Sequence, residues 1–271
     1  MSVRKFLITC AFTIYTTISI VSHAADKNVI YVYQDEGVSQ ESFIQTTLTL
    51  KKFLNKKYII KTINAQEVIN SLWAKDAALF IMPGGADLPY IKKLNGLGNQ
   101  KIKQYVVNGG SFLGICAGAY YASSYVEFDK NGPLEVIGGR ELQFFQGKSI
   151  GPILAPYDYK TGNGSRAAEI FTNLKEVQKT TVYYNGGGFF ENAEKFSNTK
   201  IIANYKNNLP AIISITYGSG RVLLSGVHFE YDPSLLNPNN DHMQKIIKTL
   251  NKDNSSRKVL FYKLFQILGV L

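Results

Sequence analysis

The sequence predicts an α/β protein, a three-layer αβα sandwich with helices on both faces of a mostly parallel sheet. Three observations predict it. Short apolar runs alternate, through the first half of the chain, with stretches whose apolar residues recur at helical spacing. The runs end in Gly, Pro or Asn, residues that interrupt a strand. At 271 residues, with 45% hydrophobic and 13% aromatic content, the chain can bury a large core, and its composition is not that of a disordered or disulfide-stapled protein.

Residues 28–33 are an apolar run that reads as a buried first strand. A helix follows from Ser39, a favourable N-cap because its hydroxyl can accept from a first-turn amide. Phe43, Thr47, Leu50 and Leu54 then recur at helical spacing. Residues 58–63 form the second strand and 65–73 a second helix. The third strand, 77–82, is broken by Pro83-Gly84-Gly85. Residues 101–107 are helical, and Asn108-Gly109-Gly110 turns that helix into a fourth strand, 111–115. This order implies right-handed crossovers and a parallel sheet covered on both faces. Sites in such sheets form at the carboxyl ends of the strands, where Gly84-Gly85 and Cys116 both fall.

The middle of the chain, 128–207, is richer in Gly, Tyr and turn residues. Its clearest strand is 181–184, ending in Asn185-Gly186-Gly187-Gly188. Residues 211–216 and 221–225 read as a hairpin joined by Tyr217-Gly218-Ser219-Gly220. Two helices follow, 241–250 and about 256–268. The second places Leu260, Phe261, Leu264, Phe265 and Leu268 on one stripe, with Lys258 and Lys263 on another face. Such a stripe packs on the sheet or docks on a membrane surface. No internal repeat or low-complexity linker divides 25–271, which reads as one domain.

Residues 1–24 read as a secretory signal peptide: Arg4 and Lys5, an uncharged apolar run over 6–21, then Ser22-His23-Ala24 with small residues at the −3 and −1 positions. The alternative, a retained membrane anchor, needs roughly 20 apolar residues, and this run is short and diluted by threonines. Lipidation at Cys10 is disfavoured because Leu7-Ile8-Thr9 lacks the small preceding residue. The chain is thus expected to be exported, to the periplasm in a Gram-negative bacterium and otherwise secreted. Removal of the signal leaves 28 basic and 20 acidic residues, a balance of +8, with Cys116 the one cysteine and His228 and His242 the two histidines. No internal disulfide and no stable membrane span are then expected. The lysines are scattered in pairs without interleaved aromatics, which argues against a nucleic-acid groove. Too few Cys and His remain for a structural zinc, and no Lys-Ser/Thr follows the glycines at 186–188 as a phosphate loop requires. No cofactor or metal is expected.

The strongest local signal is Gly114-Ile115-Cys116-Ala117-Gly118 between an expected strand and an expected helix. This is the nucleophile-elbow pattern with Cys for Ser. A sharp strand-to-helix turn presents the thiol at a helix N-terminus, whose dipole favours a thiolate. The amide of Ala117 points into the same space and can serve an oxyanion, with Gly85 (or Gly84) as the second donor. The bland reading of a lone cysteine is a small buried hydrophobe. A thiolate needs a base, and His228 lies just past the strand 221–225, two residues before Glu230. Side chains two apart on an extended chain point the same way. Glu230 can therefore fix the imidazole's tautomer while its other nitrogen faces Cys116. His242 follows Asn-Asn-Asp and reads as a helix-start residue. Asp35, Glu36, Asp87, Tyr120, Tyr184 and Asn185 follow strand ends or the elbow, and line the pocket or merely serve turns and packing.

The elbow after the fourth strand with a later His-x-Glu resembles the class I glutamine amidotransferase superfamily, whose sheet is flavodoxin-like. A closer resemblance is to the biotin–protein ligase N-terminal domain family. It is carried by Met82-Pro83-Gly84-Gly85-Ala86-Asp87, Gly114 to Tyr121, Phe144-Phe145-Gln146-Gly147, Gly151-Pro152, Tyr184-Asn185-Gly186-Gly187-Gly188 and Ser225 to Tyr231. Tyr120 stands where glutamine-hydrolysing members of the superfamily carry Gln, two residues after the second elbow glycine. The resemblance therefore implies the fold and the geometry of a Cys116-His228-Glu230 site, rather than glutamine hydrolysis or biotin ligation. Two functions remain open: a thiol-dependent hydrolase or transferase acting on an amide or ester of a small molecule or peptide, and a module that keeps the elbow only to bind a ligand or partner.

Overall fold

Burial on both faces, rather than strict polar alternation, organises the main sheet. In the computed structural model, which describes residues 27–158 and 161–271, the expected signal segment lies outside the described residues. The elements begin with β1 (Val29–Tyr33), α1 (Gln40–Leu54), β2 (Ile59–Ile63), α2 (Ala65–Asn70), β3 (Ala77–Met82), α3 (Asp87–Leu94), α4 (Leu97–Val107), β4 (Ser111–Ile115) and α5 (Ala117–Tyr121). A strand-rich middle follows: β5 (Ser123–Phe128), β6 (Val136–Gly139), β7 (Phe145–Gly151), β8 (Arg166–Thr172), β9 (Lys179–Tyr184), β10 (Phe189–Phe190), β11 (Thr199–Tyr205), β12 (Pro210–Tyr217) and β13 (Gly220–Ser225). The helices α6 (Asp241–Lys252) and α7 (Asn254–Ile267) close the order.

Nine strands form the main sheet in the order β2-β1-β3-β4-β13-β12-β11-β8-β9. The five from β2 to β13 are parallel. The remaining four are added by antiparallel pairing. The expected hairpin is β12–β13, with Ile212 opposite Ser225 and Tyr217 opposite Gly220. Along β1, Val29, Tyr31 and Tyr33 enter one core while Ile30 and Val32 enter the other. The first core is closed by Val68 of α2, Tyr90 and Leu94 of α3, and Ile102, Tyr105 and Val106 of α4. The second is closed by Leu50 and Leu54 of α1 and by the stripe of α7. The three expected layers are therefore present.

Local chemistry explains most element boundaries. Ser39 caps α1 by accepting from the Ser42 amide at 3.4 Å, and Glu41 and Lys51-Lys52 sit at the ends where the helix dipole favours their charges. The second helix stops short of its expected end. Asn64 and Glu67 form a reciprocal capping box, but the chain leaves the helix at Ser71. Trp73 then turns inward and its indole donates to Val68 O at 3.1 Å. The helix expected at 101–107 starts at Leu97, and α3 precedes it across Asn95-Gly96, with Gly96 at φ 83°. A second sheet, ordered β10-β7-β5-β6, was not legible in the sequence. It lies across the carboxyl ends of the parallel strands through α5 and supplies one wall of the cavity described below.

The stripe of α7 packs on the sheet: Leu260, Phe261, Leu264, Phe265 and Leu268 are all at most 2% exposed. Each such side chain contributes roughly 1.5–3 kcal/mol by leaving water. No helix among the described residues is long and apolar enough to cross a membrane. Leu264→Ala, at a position with no exposure, is expected to lower stability by about 2–5 kcal/mol in urea unfolding; a loss under about 0.5 kcal/mol, the scale of a surface substitution, would show that α7 does not seal this face.

Candidate active site

The turn from β4 into α5 places Cys116 at φ 52° and ψ −108°, a left-handed conformation that a residue with a Cβ adopts only under strain. Three backbone bonds hold it there. The Cys116 amide donates to Ser225 O at 2.8 Å, the Gly118 amide donates to Pro83 O at 3.1 Å, and Cys116 O accepts from Tyr120 N at 3.0 Å. Gly118 has no substitute, since a Cβ there would come within 2.1 Å of Met82 O. The elbow is thereby tied to the ends of both neighbouring strands, β3 and β13.

Beyond β13 the chain turns, and the His228 amide donates to Tyr183 O at 2.8 Å. The preceding Gly226 lies directly on the glycine loop after β9: a Cβ on Gly187 would meet Gly226 O at 1.6 Å. This backbone-to-backbone approach explains the glycines on both sides and brings His228 over the elbow. Residues 228–230 are a bridge and a turn rather than continued strand, yet the two side chains meet as the spacing predicts. His228 Nδ1 donates to Glu230 Oε1 at 2.8 Å, and both side chains are buried. Burial pushes the imidazole pKa down. The charge of Glu230 and the hydrogen bonds to Cys116 and Glu230 more than reverse this, holding His228 at about 10. Tyr231 and Tyr183 clasp the ring, with centroids 4.5 and 5.9 Å from it.

Cys116 is a free, buried thiol whose Sγ lies 3.6 Å from Asn185 O. It opens into a cavity of about 110 Å³ walled also by Gly84, Gly85, Ala117, Tyr120 and His228. The amides of Gly85 and Ala117 have no acceptor among the described residues, as two oxyanion donors require. The Gly84 amide does not serve, because it donates to Ser42 Oγ at 2.9 Å. Gly84 instead keeps the floor thin; a Cβ there would stand 2.8 Å from His228 Cε1.

The remaining sequence expectations divide. Asp87, Tyr120 and Asn185 line the cavity, but Asp87 is paired with buried Arg140 at 2.7 Å and the Tyr120 hydroxyl donates to Gly186 O at 3.1 Å. Tyr184 does not line it: the side chain lies in the second core, where its hydroxyl accepts from the Ile153 and Leu154 amides at 2.8 and 3.2 Å. Asp35 and Glu36 also lie off the cavity. Asp35 accepts from the Ala65 and Glu36 amides at 3.0 and 2.8 Å, and both carboxylates sit 3.6 Å from Lys93. His242 stands apart from Cys116, with Nε2 3.0 Å from Ser165 O. Sequence reasoning missed Glu41 and Ser42 of α1, Phe128 of β5, and Tyr157 and Tyr231. Only Tyr231, next to the His-x-Glu motif, carried a local signal. No group of three or more His, Cys, Asp or Glu is placed to hold a metal among the described residues.

Comparison with known proteins gives the chain's relatives. The sequence model of the family described as "Biotin-protein ligase, N terminal" matches residues 28–271. The chain is 34% identical over 209 residues to a biotin–protein ligase of Schizosaccharomyces pombe, covering 74% of this chain and 33% of that protein. It thus spans about a third of that relative's length. An uncharacterized protein of Chlamydia muridarum is 41% identical over 214 residues, 75% of this chain and 81% of its own. A solved thua-like protein from Bacteroides uniformis shares the fold at a TM-score of 0.50 and 11% identity, covering 91% of this chain and 95% of its own.

The charge balance at His228 gives a direct test. With a pKa raised from 6.5 to about 10, the imidazole should show no NMR titration between pH 6 and 8. Glu230→Gln removes the main raising charge while burial still opposes protonation, so the variant's ring should lose its proton at lower pH, toward the usual histidine range near ~6.5. A wild-type titration at that ordinary position would contradict the arrangement.

Proposed function

The chain belongs to the biotin–protein ligase N-terminal family, and we propose that in it Cys116, His228 and Glu230 act together as a thiol-dependent hydrolase or transferase on an amide or ester. The observation that carries this reading is the 2.8 Å His228–Glu230 hydrogen bond beside a cysteine held at φ 52°. A buried imidazole backed by a carboxylate and interacting with a thiol is the arrangement that activates a sulfur nucleophile.

Each step has a residue for it. The protonated His228 favours the thiolate of its neighbour, and the sulfur attacks the substrate carbonyl. The resulting oxyanion faces the free amides of Gly85 and Ala117, a kind of contact worth about 3–4 kcal/mol per donor in acyl transfer. The tetrahedral centre collapses to a thioester as the imidazolium gives its proton to the departing amine or alcohol. Neutral His228 then takes a proton from water, or from an acceptor amine or alcohol, and the acyl group leaves Cys116. Glu230 stabilises the imidazolium each time it forms. Biotin ligation is not part of this proposal, because the match covers only 33% of the S. pombe ligase. Export by way of residues 1–24 is part of it, resting on the order of charge, apolar run and small residues there.

Alkylation of the mature protein by iodoacetamide, followed against pH, tests the site without a known substrate. A free thiol gains reactivity near pH ~8.5. The proposal expects labelling at pH 6 on the order of tenfold or more faster than a free thiol, lost in His228→Ala. The intact mass of the same material, recovered from the envelope fraction, should match a chain starting at Ala25. Slow labelling that rises only above pH 8 and is indifferent to His228 would overturn the enzyme reading in favour of a binding module.

A further inference from the structure

The cavity at Cys116 is acidic although the whole chain carries a net charge of +10. Its charged wall residues are Glu41, Asp87 and His228, with no lysine or arginine among them. Asp87 is already paired with Arg140 at 2.7 Å, and His228 is matched by Glu230 at 2.8 Å. Glu41 is different. It stands in the first turn of α1 at the rim of the cavity and has no hydrogen bond or ion pair with any described residue. The side chain is solvent-exposed at this rim, its charge senses His228 across the site, and partial desolvation raises its carboxyl pKa.

One wall of the cavity is aromatic, built from Tyr120 of α5, Phe128 of β5 and Tyr157 in the segment after β7. Tyr120 meets Phe128 edge-on at 5.7 Å, and Phe128 meets Tyr157 edge-on at 6.0 Å, all three lining the cavity. Aromatic rings with an unmatched carboxylate are the chemistry that receives a cation, by charge and by the ring quadrupole. No arginine or lysine fork of the kind that holds a carboxylate or phosphate lines this space. At about 110 Å³ the cavity admits a group of a few heavy atoms.

We infer that Glu41 is a specificity residue, and that the cavity takes a substrate carrying an ammonium or quaternary ammonium group close to the carbonyl that Cys116 attacks. The position of that carbonyl rests on the enzyme reading above; the preference for a cation rests on the cavity walls alone.

Charged thiol reagents separate the two. In a methanethiosulfonate, the Cys116 sulfur attacks the sulfenyl sulfur, a mixed disulfide forms and methanesulfinate leaves. The 2-aminoethyl (cationic) and 2-sulfonatoethyl (anionic) reagents are compared, each rate divided by its rate with 2-mercaptoethanol. The wild type should favour the cation, and Glu41→Gln should lower the cation-to-anion ratio about five- to tenfold, the scale of one exposed charge acting in opposite directions on the two reagents. Glu36→Gln, an acid outside the cavity, should leave the ratio unchanged. Equal ratios in the wild type and Glu41→Gln, or a wild-type preference for the anion, would overturn the inference. The uncharged methyl methanethiosulfonate reports the Cys116–His228 pairing by itself. Slow labelling by that reagent would sink the enzyme reading while leaving the charge ratio readable.

Discussion

The strained turn at Cys116 is the constraint on which the site depends. Holding a non-glycine residue at φ 52° costs about 1–3 kcal/mol, and it persists only where surrounding contacts over-determine it. Here the cysteine amide is bound to the end of β13 and the Gly118 amide to the loop after β3. The same bonds that enforce the strain therefore fix the Cys116 thiol relative to His228 on one side and to the Gly85 amide on the other. Loss of the elbow geometry would separate these three groups at once, although they come from three different strand ends.

The second layer of the design is electrostatic. An imidazole and a carboxylate, both nearly inaccessible to water, are costly to bury apart and become tolerable only together. Their mutual attraction, together with the interaction with Cys116, outweighs desolvation at His228, so the ring stays protonated well above neutrality. A protonated base is what a thiolate partner needs before attack, whereas a serine nucleophile needs its base neutral. A cysteine in the elbow and a carboxylate-backed histidine are thus chemically matched. Around them the parallel half of the sheet supplies rigid strand ends, while the antiparallel half and the second sheet supply the walls.

Much of this was legible in the sequence because the informative patterns are local. Central parallel strands are continuous apolar runs, and the elbow and His-x-Glu are short motifs whose spacing sets their geometry. The middle of the chain was not legible. β6 reads Val136-Ile137-Gly138-Gly139 and is nowhere buried, so no hydrophobic pattern marks it. The aromatic wall is assembled from α5, β5 and the segment after β7, and Glu41 comes from α1, contacts that no local spacing encodes. Tyr184 shows the limit of a motif. Adjacent residues on a strand face opposite ways, and it is Tyr183 that turns toward His228 while Tyr184 enters the second core.

The central claim is that Cys116 is a nucleophile toward acyl groups with His228 as its proton carrier. Intact-mass analysis of the protein within seconds of mixing with p-nitrophenyl acetate tests this most directly. The account predicts an acetyl adduct that maps to the Cys116 peptide, forms slowly or not at all in His228→Ala, and is absent in Cys116→Ala. Acetylation confined to lysines, or a Cys116 adduct whose formation ignores His228, would contradict it.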